Sequence, residues 1–317
     1  MDERDSRNFW DREVAAPIHI TWMEPLAVRH YINESISGDI GTWPMEWLER
    51  AFADQLPFRR ALSIGCGTGM LDRQLIKRGI CNQVDAFDGS VASVAMARNA
   101  LAAEGIAGIR YFVADFNQPA FPARRYDIAF FHQSLHHVTY LERLFGALIR
   151  TLKKGGLVYL DEYVGPSRND WSLPRIQMHR DIFASLPREV RQTDSLELPI
   201  QADDPSEAVR SSEILKELSI GFTILKKRDY GGNLLAVIYP ALRRPSEILE
   251  ELIEREKIEL RKPQTESYHA IVVARRRDWI SSYFAVTCYR ARETFRRKRL
   301  AALLRGDTLR VEQIGGS

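Results

Sequence analysis

An apolar run that ends in three glycines, spaced two residues apart, constrains the fold of this 317-residue chain more than any other stretch. The run spans residues 61–64, and Gly65, Gly67 and Gly69 follow it. Because glycine lacks a Cβ atom, it tolerates positive φ and lets a ligand approach the backbone closely. A helix that begins near Met70 presents unpaired backbone N–H groups to negative charge. The stretch therefore predicts a buried strand, a tight turn and a helix, a pattern common to nucleotide-binding α/β folds.

Four more apolar segments have the length and composition of buried strands. They span residues 83–88, 109–115, 126–131 and 157–163. Between them, apolar residues at helical spacing predict helices over residues 91–104 and 141–152. This alternation indicates a doubly wound α/β fold with a mostly parallel sheet and right-handed crossovers. In such sheets ligands bind outside the carboxyl ends of the strands.

Polar residues and turns recur at the ends of these segments. Asp88 ends the second segment, Asp115 ends the third, and a Gly155-Gly156 turn precedes the fifth. Together with the glycine turn, this order resembles the class I S-adenosylmethionine-dependent methyltransferases, over roughly residues 40–275. The resemblance implies a Rossmann-like sheet of seven strands, mostly parallel, with an antiparallel last strand.

The resemblance also implies S-adenosylmethionine as the cofactor and S-adenosylhomocysteine as the product. The three glycines would contact the methionine half of the cofactor, and Asp88 would accept hydrogen bonds from both ribose hydroxyls. The alternative role for Asp88 is a helix N-cap, for which Ser90 is the better candidate. One residue departs from the family pattern. Ser63 stands where the family usually carries an acid, so any hold on the methionine amino group is weakened or comes from a hydroxyl.

Four further residues are assigned to the cofactor by the same resemblance. Asp115 is expected to face the exocyclic amine of adenine, with Phe116 against the ring. The alternative for Asp115 is a solvated acid on a loop. His132 and Gln133 leave the fourth strand beneath the cofactor, and their backbone is expected to hold its amino group.

The candidate catalytic residues follow the fourth strand and end the fifth. His136 and His137 can take a proton from an acceptor hydroxyl, because imidazole titrates near working pH. Packing or hydrogen bonding at a helix start is the alternative for both. Glu162 and Tyr163 project to opposite faces of the fifth strand, so only one of them can face the acceptor. Asp161 is expected to face a packed helix with a partner.

The predicted organisation is an N-terminal helical lid at 1–58, a methyltransferase domain at 59–276 and a basic C-terminal helix with tail at 277–317. The lid carries several Trp and Tyr residues and a helix over residues 44–53 with proline in its first turn. These aromatic residues either contact the cofactor or only anchor helices to the sheet.

Two insertions are expected within the domain. Residues 166–204 follow the fifth strand, contain a helical pattern near 176–186 and are expected to roof the substrate pocket. A capped helix is then predicted over residues 205–218. The second insertion, at 234–262, is predicted to be largely helical and interrupts the final hairpin of strands at 223–230 and 268–275.

A helix predicted over residues 278–305 lies in a strongly basic segment. Residues 275–305 hold ten basic and two acidic side chains, so the rest of the chain is net acidic although the total is +3. The apolar face is formed by Ile280, Phe284, Cys288, Ala291 and Phe295. The helix is expected to dock on its own domain or pair with a second copy. The alternatives are contact with an anionic membrane or with nucleic acid.

The three cysteines, Cys66, Cys81 and Cys288, form no Cys-x-x-Cys pair, which favours a reducing compartment and argues against a structural zinc site. No metal site is predicted. The first residues lack the layout of a signal peptide, so a cytoplasmic location is expected.

The reaction predicted from these features is methyl transfer to an oxygen or nitrogen of a small molecule, such as a sugar, a glycan precursor or a secondary metabolite. A catalytically silent cofactor-binding module is one alternative, which Ser63 favours slightly. An RNA methyltransferase is another, but phosphate contacts need a basic cleft and this domain is net acidic. The Asn/Asp-Pro-Pro-aromatic signature of amino-directed nucleic-acid methyltransferases is absent after the fourth strand.

Overall fold

The computed structural model describes residues 11, 21–197, 204 and 206–304. Its centre is a seven-stranded sheet with the order β3-β2-β1-β4-β5-β7-β6. The strands are β1 (Ala61–Ile64), β2 (Val84–Asp88), β3 (Ile109–Val113), β4 (Tyr126–His132), β5 (Leu152–Tyr163), β6 (Phe222–Gly231) and β7 (His269–Arg276). Strands β1 to β5 are parallel, and β7 runs antiparallel to both β5 and β6. The predicted fold class is therefore confirmed.

Helices cover both faces of this sheet. They are α1 (Leu26–Ser37), α2 (Pro44–Ala51), α3 (Met70–Lys77), α4 (Val91–Ala103), α5 (Leu141–Thr151), α6 (Leu173–Ser185), α7 (Ile214–Gly221), α8 (Leu235–Ile238), α9 (Leu249–Leu260) and α10 (Trp279–Leu304). Two hydrophobic cores follow, one on each face: α1 and α9 contribute to the first, whereas α5, α7 and α10 contribute to the second.

Three segments differ from the sequence-based expectation. Strand β5 begins at Leu152, so the Gly155-Gly156 pair lies inside the strand and does not precede it. The capped helix predicted over residues 205–218 is replaced by turns, a 3-10 turn at Ser211–Glu213 and then α7. A side-chain turn competes with helix here, because the Asp204 carboxylate accepts from the Ser206 N–H at 2.8 Å. Pro205 lies outside the described residues.

The insertion predicted to be helical over residues 234–262 is broken in the middle. Helix α8 has only four residues, two 3-10 turns follow at Tyr239–Ala241 and Pro245–Glu247, and α9 then completes the segment. Pro240 and Pro245 account for the break, since proline supplies no N–H and clashes within a helix interior.

Helix α10 docks on its own domain, against α5 and α7, but through a different face from the one predicted. Ser282, Ala285 and Tyr289 are buried, whereas Phe284 and Phe295 are 67% and 69% exposed. The Tyr289 hydroxyl accepts from the Gly221 N–H at 3.1 Å and donates to the Glu217 carbonyl at 2.7 Å. The packed face of α10 is therefore formed by small residues and by a tyrosine whose hydroxyl is fully hydrogen-bonded. The two phenylalanines remain exposed.

Among the helices that the structure describes, none combines the length and the apolar character that a bilayer crossing requires. The parts of the predicted lid at residues 1–10 and 12–20, of the first insertion at 198–203 and of the tail at 305–317 lie outside the described residues.

Candidate active site

A single cavity of about 2060 Å³ lies along the carboxyl ends of β1, β2, β4 and β5. The glycine turn after β1 forms part of its wall, together with the polar residues that end the neighbouring strands. Helices α1, α2 and α10 supply further wall residues, among them Arg29, Trp43, Met45, Phe295 and Arg297. The cavity therefore occupies the position at which open α/β sheets bind ligands.

The backbone of the glycine turn adopts a conformation that would be strained for residues other than glycine. Gly65 and Gly67 lie at φ +70° and +52°, in the left-handed region. A Cβ atom on Gly65 would collide with Ser134, whereas the space beside the α-carbon of Gly67 is open to 4 Å. Both residues line the cavity. Gly69 does not line it, and packs against the ring of Tyr111 instead.

Asp88 ties the glycine turn to the end of β2. One carboxylate oxygen accepts from the Gly67 N–H and the other from the Ser90 N–H, both at 2.8 Å. Burial raises the pKa of Asp88, and the hydrogen bonds from the backbone oppose that shift. The N-cap of α4 is Ser90, which accepts from the Ser93 N–H at 3.0 Å. Asp88 is therefore not needed as the helix cap, and its carboxylate binds the glycine turn and lines the cavity.

The four other residues predicted to bind the cofactor line the same cavity. Asp115 accepts from the Asn117 N–H at 2.8 Å, and Phe116 packs beside it at the edge of the second core. Gln133 adopts a positive φ of +51°, which is rare outside glycine and typical of functional sites. Its backbone and side-chain N–H groups both donate to the Asp161 carbonyl, at 2.9 and 3.1 Å. The Nε2 atom of His132 lies 3.6 Å from the Asp161 carboxylate.

Of the four predicted catalytic residues, His137 lines the cavity, and His136, Glu162 and Tyr163 do not. Glu162 is fully buried, and one oxygen accepts from the N–H groups of Ser134 and Leu135, each at 2.6 Å. Its other oxygen lies 2.9 Å from His136 Nδ1. Glu162 thus holds the 3-10 turn that carries both histidines.

Tyr163 and Asp161, on the opposite face of β5 from Glu162, also have positions that differ from the expectation. The Tyr163 hydroxyl donates to the Pro166 carbonyl at 2.9 Å, and its ring meets His136 edge-on with centroids 6.1 Å apart. Asp161, which was expected to face a packed helix, lines the cavity and accepts from the Tyr230 hydroxyl at 2.6 Å. The strand end therefore contributes Asp161 to the cavity in place of Glu162 or Tyr163.

Sequence reasoning missed a group of polar residues, Asp204, Ser206 and Glu207, that lies at and just after the end of the first insertion and contacts the histidines. His137 Nδ1 lies 3.2 Å from the Ser206 hydroxyl, 3.5 Å from the Asp204 carboxylate and 3.8 Å from the Glu207 carboxylate. His136 Nε2 is also 3.8 Å from Glu207. The run Asp-Asp-Pro-Ser-Glu at 203–207 was a signal of acids, but nothing local indicated that it packs on the turn after β4.

The protonation preferences within this group are opposed. Burial acts to lower the pKa of His136, but the hydrogen bond and charge of Glu162 outweigh it, so the net shift is upward. Burial and the neighbouring His136 hold the pKa of His137 well below its usual range. Burial raises the pKa of Glu207. The group therefore contains one imidazole that favours the charged form beside one that favours the neutral form.

Residues 62–160 match the family model described as a methyltransferase domain. This segment is a methyltransferase domain of the class I S-adenosylmethionine-dependent type. It begins in β1 and ends in β5, so it contains the glycine turn, Asp88, Asp115 and both histidines.

Two curated relatives illustrate the similarity. The chain is 26% identical over 145 residues to the sterol 24-C-methyltransferase erg6 of Schizosaccharomyces pombe, covering 44% of this chain and 38% of that protein. It is 30% identical over 115 residues to the ubiquinone/menaquinone biosynthesis C-methyltransferase UbiE of Stutzerimonas stutzeri, covering 36% and 45% respectively. The matches thus span less than half the length of these curated relatives.

A similar solved structure is the geranyl diphosphate C-methyltransferase from Streptomyces coelicolor A3(2), in complex with Mg²⁺, geranyl diphosphate and S-adenosylhomocysteine. Its TM-score is 0.52 at 15% identity, covering 87% of this chain and 97% of that chain. At that identity the likeness shows the fold alone.

The residues around the glycine turn fit S-adenosylmethionine. The glycine backbone, an open face at Gly67 and a carboxylate at Asp88 meet in one cavity. Ser63, at the position of the usual family acid, also lines that cavity. Asp72 of α3 is fully buried, neither of its carboxylate oxygens has a hydrogen-bond partner among the described residues, and burial raises its pKa to about 7. The burial of Asp72 was not predicted from the sequence, because an acid in the first turn of a helix is ordinarily solvated and stabilises the helix end.

Proposed function

We propose that this methyltransferase transfers a methyl group from S-adenosylmethionine to an oxygen or nitrogen of a small molecule bound in the cavity. The observation that carries the proposal is the continuity of the cavity, which both Asp88 and His137 line. A cofactor and an acceptor would therefore share one enclosed space. Its volume of about 2060 Å³ exceeds the ~300–1,000 Å³ of an ordinary ligand pocket, which supports two occupants.

We assign the cofactor to the residues that end β1 to β4. The backbone at Gly65 and Gly67 would contact its methionine half, Asp88 its ribose, and Asp115 with Phe116 its adenine. When bound, S-adenosylmethionine supplies an activated sulfonium methyl group. The main task of the chain is then alignment of donor and acceptor, an effect worth up to ~7–11 kcal/mol in favourable intramolecular cases.

We assign the acceptor to the part of the cavity lined by His137 and Ser206. A hydroxyl or ammonium acceptor must lose a proton before or during methyl transfer, and this part of the cavity carries the groups that can receive one. Trp43 and Met45 from the start of α2 also line the cavity and would exclude water from the bound donor. This is the role proposed for the lid.

A carbon acceptor is the second candidate, and the curated relatives favour it. The sterol and quinone enzymes that the chain resembles are both named as C-methyltransferases. The half-buried and exposed apolar side chains of the cavity wall, among them Met45, Leu71 and Phe295, suit a hydrophobic acceptor.

The proposal is tested by incubating the purified protein with S-adenosylmethionine carrying a ¹³C-labelled methyl group and with fractionated small-molecule extracts or RNA. We expect S-adenosylhomocysteine release with small-molecule fractions alone. The ¹³C shift of the product then distinguishes methyl bound to oxygen, nitrogen or carbon. Release with RNA alone would contradict the proposal, and cofactor binding without release in any fraction would support the silent module instead.

A further inference from the structure

The strongest feature that methyl transfer does not itself require is the histidine–carboxylate cluster, formed by His136, His137, Asp204 and Glu207. Ligand-type atoms of the two histidines and Glu207 all lie within 4.8 Å of one another. Asp204 Oδ2 lies 3.5 Å from His137 Nδ1, so a second carboxylate borders the same space. Two imidazole nitrogens and one or two carboxylates are the donors that divalent transition ions prefer.

The spacing of these donors suits a single ion. Two atoms bound about 2.1 Å from a tetrahedral zinc are about 3.4 Å apart. Glu207 Oε2 lies 3.8 Å from both His136 Nε2 and His137 Nδ1, which is a few tenths of an ångström wider. All three donor atoms lie within 4.8 Å of one another. They therefore border one small space, and side-chain adjustment would bring them to an ion's bonding distance.

The support behind the cluster has the form found around metal-binding histidines. Such histidines almost always donate their second ring N–H to a carboxylate or carbonyl, which fixes the tautomer. His136 Nδ1 meets Glu162 at 2.9 Å, so Nε2 is the ring nitrogen that faces Glu207 and on which a metal ion would replace a proton. Glu162 is itself held by two backbone N–H groups.

Burial separates the cluster from an ordinary group of surface acids. Each histidine is 7% exposed, Asp204 is fully buried, and the Glu207 side chain is 24% exposed. Three carboxylates, including that of Glu162, thus meet two imidazoles in a largely dry environment. Buried carboxylates are costly unless they are paired or coordinate a metal.

We propose that His136, His137 and Glu207, with Asp204 beside them, bind one divalent transition-metal ion, for which Zn²⁺ is the best match. The sequence had predicted no metal site. Mg²⁺ is a poorer match, because it prefers an all-oxygen, octahedral environment. His137 and Ser206 line the cavity, so the ion would border the space assigned to the acceptor. Its use as a contact for an acceptor oxygen or nitrogen rests on the proposed function, whereas the site itself does not.

The test measures metal content directly on the full-length chain without an affinity tag. The protein is stripped with a chelator, dialysed against Zn²⁺, and analysed by mass spectrometry of the element. We expect about one ion per chain, and Co²⁺ in its place should give the visible absorption of a four- or five-coordinate site. Excess Mg²⁺ should not displace either ion.

Three variants and a control locate the ion. His137→Gln and Glu207→Gln should each weaken Zn²⁺ binding more than tenfold, and Glu162→Gln should weaken it by about 10–100-fold as a supporting residue. His30→Gln, on α1 outside the cluster, should bind like the wild type. Circular dichroism of each variant shows whether the fold is retained.

Two results would overturn the proposal. One is a wild-type chain that retains no stoichiometric Zn²⁺ and gives no Co²⁺ absorption. The other is unchanged affinity in folded Glu207→Gln protein, which would place any bound ion elsewhere. Cofactor affinity measured on the same samples keeps this outcome distinct from failure of the methyltransferase proposal, since loss of the metal leaves the residues at the ends of β1 and β2 intact.

Discussion

The two parts of the cavity are built by different physical means. Around the space assigned to the cofactor, the backbone forms most of the wall. The glycine turn leaves the space beside Gly67 open, and Asp88 joins this turn to the end of β2 by accepting from the Gly67 and Ser90 N–H groups. Around the histidine–carboxylate cluster, side chains from the turn after β4, from β5 and from residues 204–207 converge. Damage to the first part should therefore act on cofactor binding, and damage to the second on turnover.

The largest expected effect concerns His137. Replacing it with glutamine removes the one predicted catalytic residue that lines the cavity. We expect turnover to fall about 10²–10⁴-fold, as for loss of a group that handles a proton in the transition state. Steady-state kinetics and calorimetry on one preparation check this. Full turnover would show that the protein works by alignment alone, and lost cofactor affinity would show that the two parts are not separate.

The segment that brings the acids to the cluster is anchored by Arg210, which is 2% exposed. Its guanidinium donates to Glu142 at 2.7 and 2.8 Å and to the Thr139 carbonyl at 3.0 Å. Arg210→Ala leaves the buried Glu142 carboxylate uncompensated, so unfolding should become easier by about 3–5 kcal/mol. Chemical denaturation measures the change. Arg244→Ala, which removes an exposed pair with Glu247, should cost less than about 1 kcal/mol; equal costs would contradict the anchoring role.

On the cofactor side, Asp72 predicts a dependence of stability on pH. The native state keeps this proton up to about pH 7, whereas the unfolded chain releases it near pH 4. Between those values the native state binds more protons, so stability falls as the pH rises. Asp72→Asn should match the wild type near pH 4.5 and exceed it at pH 8 by on the order of 2–4 kcal/mol.

Denaturation of the cofactor-free protein at the two pH values measures the effect of Asp72. The exposed Asp54→Asn serves as the matched control and should show no such difference. A constant gap between Asp72→Asn and the wild type across this range would mean that the Asp72 carboxyl titrates normally.

The smallest effect tests how α10 docks. Tyr289→Phe removes a hydroxyl that accepts from Gly221 and donates to Glu217, so we expect a loss of about 1–3 kcal/mol. Phe284→Ala removes a larger but 67% exposed side chain and should change stability by less than about 0.5 kcal/mol. Thermal unfolding of both variants compares them. A larger loss of stability for Phe284→Ala than for Tyr289→Phe would support packing through the face predicted from the sequence.

Most of the residues assigned to the cofactor line one cavity, and this could be predicted because the signals are local. Strand, glycine turn and acid are neighbours along the chain, and the alternation of strands and helices fixes which strand ends meet. The prediction of the packed face of α10 was wrong, because the spacing of apolar residues carries no information about the shape and hydrogen-bonding groups of the neighbouring helices. Ala285 packs against the domain and Tyr289 is hydrogen-bonded to α7, whereas Phe284 remains exposed.

The histidine–carboxylate cluster could not be predicted as a unit. Asp204 and Glu207 lie about 70 residues after the histidines, and their placement depends on turns and on the buried Arg210 pair. No periodicity encodes such a contact. Asp161 was misplaced for a related reason: strand alternation gives opposite faces for Asp161 and Glu162 but does not say which face borders the cavity.

The most direct test of the account is a calorimetric titration of S-adenosylmethionine into the wild type and two variants. The wild type and His137→Gln should bind the cofactor equally. Asp88→Ala should bind it tenfold or more weakly, as expected when charged hydrogen bonds of about 1.5–3 kcal/mol are lost. Unchanged affinity in folded Asp88→Ala protein, or no binding by the wild type, would contradict the assignment of the cofactor to the ends of β1 and β2.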